Sequence, residues 1–82
     1  MAPSPQAPAG LGKAIRQLRE KRGMTQEGLA HEAGSTAATI GAIERGLTNP
    51  SWGTVEAIAA ALDVSVVEVA KVAQRMKSKG IT

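Results

Sequence analysis

Residues 24–46 read Met-Thr-Gln-Glu-Gly-Leu-Ala-His-Glu-Ala-Gly-Ser-Thr-Ala-Ala-Thr-Ile-Gly-Ala-Ile-Glu-Arg-Gly, and two short helices joined at a corner can be parsed from that stretch alone. Thr25 suits an N-cap, because its hydroxyl oxygen accepts from an amide that the first turn leaves unpaired. The helix it starts runs from about Gln26 to Ala33 and buries Leu29 and Ala30. Gly34 stops it, Thr36 caps the next helix, about Ala37 to Arg45, and Gly46 closes that one. Only Gly34-Ser35-Thr36 lies between the two. Glycine lets the chain reverse sharply there, while Ala30 is small enough for the helices to cross closely.

The same parsing extends outward. Leu11, Ala14, Ile15 and Leu18 have the i, i+3, i+4, i+7 spacing of an amphipathic helix, which ends near Arg22 with Gly23 just beyond. Asn49-Pro50 signals a turn, and Ser51 caps a fourth helix with an apolar stripe of Val55, Ile58, Ala59 and Leu62. Asp63 ends it. Ser65 and Glu68 have the spacing of a capping box for a fifth helix reaching about Lys77. Valines 66, 67, 69 and 72 suit a strand taken alone, but the box and the Ala/Lys/Gln/Arg continuation favour helix. The fold class is therefore all-α with five helices, over residues 11–77. Residues 1–10, with Pro3, Pro5 and Pro8, read as a disordered leader, and residues 78–82 as a flexible basic tail.

Composition narrows the function classes. A chain of 82 residues makes one domain. It buries only about 60% of the surface its unfolded form exposes, so support from a partner subunit is expected. With no cysteine there is no disulfide framework and no thiolate metal site. His31-Glu32 opens like a zinc-protease helix motif, but no second histidine follows. Neither metal nor cofactor is expected. No nucleophile–base pair, carboxylate pair or phosphate-binding glycine loop is recognisable, which argues against an enzyme. No apolar run approaches the roughly 20 residues of a membrane helix, and the N-terminus lacks a signal-peptide apolar region. A soluble, cytoplasmic protein without a small-molecule ligand is the expectation. The net charge of +3 is unevenly placed. Lys13, Arg16, Arg19, Lys21 and Arg22 face only Glu20 in residues 13–22, and Lys71, Arg75, Lys77 and Lys79 lie near the end. Such clusters suit a polyanion, although solvated basic faces are common.

Two short helices with a tight glycine corner form a helix-turn-helix, in which one helix spans a phosphate backbone and the next enters the groove. The residues go further. The stretches 18–34 and 39–51 resemble the Xre family, the lambda-repressor-like helix-turn-helix regulators. The most specific pieces are Thr25-Gln26, Leu29-Ala30, Gly34, Ile43-Glu44-Arg45-Gly46, Asn49-Pro50 and Ala59 to Leu62. The likeness runs from about Leu11 to Val69, and Leu-Ala-His-Glu-Ala-Gly is similar also to the restriction–modification controllers of that family.

The resemblance implies a dimer on double-stranded DNA, with the third helix in the major groove. Thr36, Ala37, Ala38, Thr39 and Ala42 match the positions that face base edges. Gln26, Arg45 and the backbone of Leu47, Thr48 and Asn49 match phosphate contacts. Arg19 and Glu44 match a pair that joins the first and third helices. The family usually carries Arg, Gln, Ser or Asn at several base-facing positions, whereas this chain has Ala37, Ala38, Gly41 and Ala42. A protein-binding module on the same scaffold is the alternative, as is a DNA-binding antitoxin or controller.

Further expectations concern packing. Ile40, Ile43 and Leu47 should face the core, and Ala37, Gly41 and Arg45 should point outward. Trp52 should be largely buried against the first or fifth helix. Val66, Val69 and Ala73 should complete the core, leaving Val67, Val72 and Met76 for a symmetric dimer contact.

Overall fold

The computed structural model describes residues 8–78; most of the leader and residues 79–82 of the tail lie outside the described residues. Five helices follow one another: α1 (Leu11–Lys21), α2 (Gln26–Ala33), α3 (Ala37–Glu44), α4 (Trp52–Ala61) and α5 (Val66–Ser78). No strand occurs among the described residues. Local chemistry sets the starts. The Thr25 hydroxyl accepts from the Gly28 amide at 2.9 Å, Thr36 from Thr39 at 3.1 Å, Ser51 from Thr54 at 3.1 Å and Ser65 from Glu68 at 3.0 Å. At the α2–α3 corner Gly34 takes a left-handed φ of 69°, which costs glycine nothing. Asp63 takes the same role after α4 with φ 57°, the one non-glycine among the described residues to do so.

The largest fully buried side chains among the described residues are Ile15, Leu29, Ile40, Ile43, Ile58, Leu62 and Val69. Every helix contributes to this core or is followed directly by a residue that does. Burying one such side chain is worth about 1.5–3 kcal/mol, so each is a large share of the roughly 5–15 kcal/mol that holds a typical domain.

The folded unit starts earlier than residue 11. Gly10 is buried and caps α1, and the Leu11 amide donates to the Pro8 carbonyl at 3.1 Å. A Cβ on Gly10 would collide with the Ala73 carbonyl and lie 3.2 Å from the Met76 Cβ. The chain before α1 is thus pressed against α5. That contact corrects the reading of α5: Val72 is buried, with 2% of its surface exposed, and Met76 is half-buried against the core. Val69 is fully buried, Val66 and Ala73 only partly, and Val67 stays 63% exposed. The inward stripe is rotated toward Val72 and Met76 because α5 packs chiefly on α1.

Two more expectations fail. Leu47 is 70% exposed, because α3 ends at Glu44 and Gly46, with φ 73°, turns the chain before the stripe can continue. Trp52 is 64% exposed. It lies at the very start of α4, where the neighbouring chain leaves a groove of about 500 Å³ instead of a packed wall. Leu11, Val55, Val66 and Ala73 line that groove with Trp52, and no residue of α2 or α3 does.

Candidate nucleic-acid interface

The α2–α3 corner is held by the Ser35 amide, which donates to the Ala30 carbonyl at 2.8 Å. Beyond it, α3 buries Ile40 and Ile43 and turns a short-chained face outward. Thr36, Ala38 and Thr39 are exposed, while Ala37 and Ala42 are half-buried. The Thr36 hydroxyl is partly committed: it accepts from the Thr39 amide and donates to the Thr39 hydroxyl at 3.0 Å. Arg45, Leu47, Thr48 and Asn49 are all exposed just past α3. Among the described residues no carboxylate lies within 4.0 Å of the Arg45 guanidinium.

Arg19 and Glu44 meet across α1 and α3. Arg19 Nε donates to Glu44 Oε2 at 2.7 Å and Nη2 to Oε1 at 3.1 Å, while Nη1 donates to the Met24 carbonyl at 2.8 Å. Their side chains are 11% and 4% exposed. The Glu44 hydrogen bond raises the Arg19 pKa against the lowering effect of burial. Gln26 joins the pair. Its Nε2 donates to Glu44 Oε1 at 3.0 Å, so the carboxamide is not a free outward group. It lies over Gly41, which is buried rather than outward-facing.

Gly12 was missed by sequence reasoning. A Cβ there would stand 2.7 Å from the Glu44 carbonyl oxygen and closer still to that of Ile43. The α1 backbone therefore touches the end of α3, and Arg19, two turns on, comes within reach of Glu44. A glycine inside an otherwise good helix pattern was the available signal.

The basic side chains are less free than their count suggests. Arg16 pairs with Glu20 at 3.2 Å and Arg22 with Asp63 at 3.7 Å. Such exposed pairs add little to stability, but they offset charge near α1. Lys13, Lys21, Lys71, Arg75 and Lys77 are exposed, and Lys79 lies outside the described residues. His31 is exposed, and no group of three or more His, Cys, Asp or Glu clusters among the described residues.

A corner of this kind, with a capped second helix presenting a clear face, defines a helix-turn-helix domain. The family of helix-turn-helix domains matches residues 11–72, and the chain belongs to it, as an Xre-type member. Over 57 residues it is 42% identical to the HTH-type transcriptional regulator SinR of Bacillus subtilis (strain 168), a match covering 68% of this chain and 51% of SinR. The chain thus spans about half the length of that relative. The restriction–modification controller protein C.AhdI from Aeromonas hydrophila superposes with a TM-score of 0.73 at 34% identity, covering 74% of this chain and 92% of that one. SinR, the master regulator for biofilm formation, in complex with DNA gives a TM-score of 0.69 at 39% identity, covering 73% and 97%.

Proposed function

We propose that this domain binds double-stranded DNA as a dimer and regulates transcription, with α3 in the major groove. The observation that carries the reading is the outer face of α3, which is free of long side chains and bordered by the exposed Arg45 and the start of α2. Such a helix can approach base edges closely. Thr36, Ala37, Ala38, Thr39 and Ala42 then face the bases, through hydroxyls and through methyl contacts with thymine. Gln26, Arg45 and the backbone of Leu47, Thr48 and Asn49 hold phosphates, which fix register without reading sequence. Similarity to SinR, solved with DNA, supports this assignment. The domain works by binding and not by catalysis, in the compartment that holds the DNA.

Folding leaves apolar surface uncovered, and a second copy of the chain would cover it. Val72 is spent in the core, Met76 is half-buried, and the exposed Leu47 belongs to the phosphate-facing loop beyond α3, so Val67 and Trp52 are the side chains that a second copy would cover. Two reading helices about 34 Å apart would match a palindromic site. Selection from a random duplex pool, followed by gel shifts at two salt concentrations, tests the function. Enrichment of a palindrome, with binding that falls steeply as salt rises, is the expected result. No binding at low salt would reject DNA as the partner and favour a protein-binding module.

A further inference from the structure

We propose that Glu44 is a positioning residue for DNA binding. It holds the Gln26 carboxamide flat across Gly41, so that Gln26 and Arg45 form one paired donor seat for a single phosphate. The inference rests on the reading that Gln26 and Arg45 meet phosphates, and adds what orients them.

The geometry is specific. Gln26 Oε1 and Nε2 lie 3.5 and 3.6 Å from the point where a Cβ on Gly41 would stand, and Arg45 Nη1 lies 3.8 Å from that same point. Gln26 at the start of α2 and Arg45 just past α3 therefore converge over Gly41. Beneath it the Glu44 side chain is 4% exposed, and Arg19 occupies both of its oxygens. That carboxylate cannot swing away from the bond it receives from Gln26.

The chemistry follows from the carboxamide itself. An unanchored Gln presents either its acceptor oxygen or its NH₂ to an approaching phosphate, and the oxygen repels it. Glu44 is an acceptor and selects the NH₂ on its side. One Nε2 hydrogen goes to Glu44 Oε1 at 3.0 Å, and the second remains to donate. Arg45 adds a charged donor beside it, and charge-assisted bonds to phosphate are the stronger kind. The buried ion pair thereby sets the affinity of a contact it never touches.

The test uses the full chain and a short random-sequence duplex at low salt, since phosphate contacts do not depend on sequence. Gln26→Ala should weaken binding about three- to tenfold, the weight of one hydrogen bond. The same change is then made in Arg19→Met/Glu44→Met, where apolar residues of similar volume replace the ion pair and preserve folding. There Gln26→Ala should cost nothing further, and the double Met variant alone should show the same loss as Gln26→Ala. Losses that multiply would overturn the positioning role. Unchanged binding by Gln26→Ala in the native background would overturn the phosphate reading beneath it, and the proposal with it. A second measurement needs no variant. With the Gln26 side-chain amide labelled for NMR, one Nε2 proton should keep its shift when duplex is added, and the other should move. Both moving together would overturn the proposal.

Discussion

Arg19 closes on both oxygens of the Glu44 carboxylate, with Nε at 2.7 Å and Nη2 at 3.1 Å, and so ties α1 to the end of α3. Glu44 is the one buried charged residue among those described. A carboxylate out of water is tolerable while the guanidinium stays beside it and becomes costly once stranded. Removing one partner of such a pair typically costs about 3–5 kcal/mol. Glu44→Ala should therefore lower the urea midpoint sharply, because it leaves Arg19 desolvated without its anion. Arg19→Ala/Glu44→Ala should lose less than the two single losses together. Strict additivity in this double-mutant cycle would show that the two residues are not coupled.

Gly12 and Gly41 should respond to alanine with opposite signs. At Gly12 the new Cβ meets backbone carbonyls of Ile43 and Glu44, one of them at 2.7 Å, and backbone cannot step aside cheaply. Overpacking of this kind costs about 1–3 kcal/mol. At Gly41 the nearest atoms are side-chain ends at 3.5 Å or more, which is ordinary contact. Alanine there gains up to about 1 kcal/mol of helix propensity. Thermal unfolding of the two variants decides the matter, and Gly12→Ala as stable as the native protein would mean that α1 does not press on α3 as described.

Much of this architecture was legible in the sequence, because caps and helix-stopping glycines are local signals. Thr25, Thr36, Ser51 and Ser65 each cap the helix assigned to them. What local pattern does not contain is which way a helix turns once others pack on it. On α5, Val72 and Val67 are equally apolar, and only the approach of Gly10 and α1 decides that Val72 goes inside. Trp52 sits on the apolar stripe of α4 yet overhangs its end, and sequence periodicity does not report whether a wall stands there. The Gln26–Glu44 bond was illegible for a similar reason: residues 18 positions apart meet only through the corner between α2 and α3.

Val72→Asp should unfold the domain, because it buries a carboxylate with no partner at a site that is 2% exposed. Val67→Asp, at 63% exposure, should change monomer stability by no more than about 0.5 kcal/mol. Circular dichroism reports the first. Sedimentation reports the second, and a folded Val67→Asp protein that is monomeric where the native chain is dimeric is the expected outcome. A folded Val72→Asp protein would place that valine at the surface.

Trp52 gives an optical check on the same packing. With 64% of the residue exposed, its emission maximum in a dilute monomer should lie near that of free tryptophan in water. If a second copy covers it, emission should shift to the blue as concentration rises. The Val67→Asp variant should lack that shift. A maximum already far to the blue at the lowest concentration would mean that Trp52 packs within the monomer.

A helix with so few polar side chains has little with which to discriminate one DNA sequence from another. Ala37, Ala38 and Ala42 have no donor or acceptor, and the Thr36 hydroxyl is shared with the Thr39 amide. A bidentate Arg–guanine or Gln–adenine pair discriminates by about 1–3 kcal/mol, and the α3 face has no group that makes one. Binding energy should then rest largely on phosphates, so affinity falls steeply with salt while the specificity ratio stays modest. Arg45→Ala should weaken all sequences alike and reduce the salt slope by about 1. Gln26→Ala should weaken binding with the slope unchanged, because a neutral donor displaces no counterion. Ala38→Gln places a long amide on the exposed side of α3 and should change which bases are preferred, as selection before and after the substitution would show. If the selected sites stay the same through changes at 37, 38, 39 and 42, α3 is not the reading element. The exposed Leu47–Asn49 loop beyond it would then be the next segment to substitute.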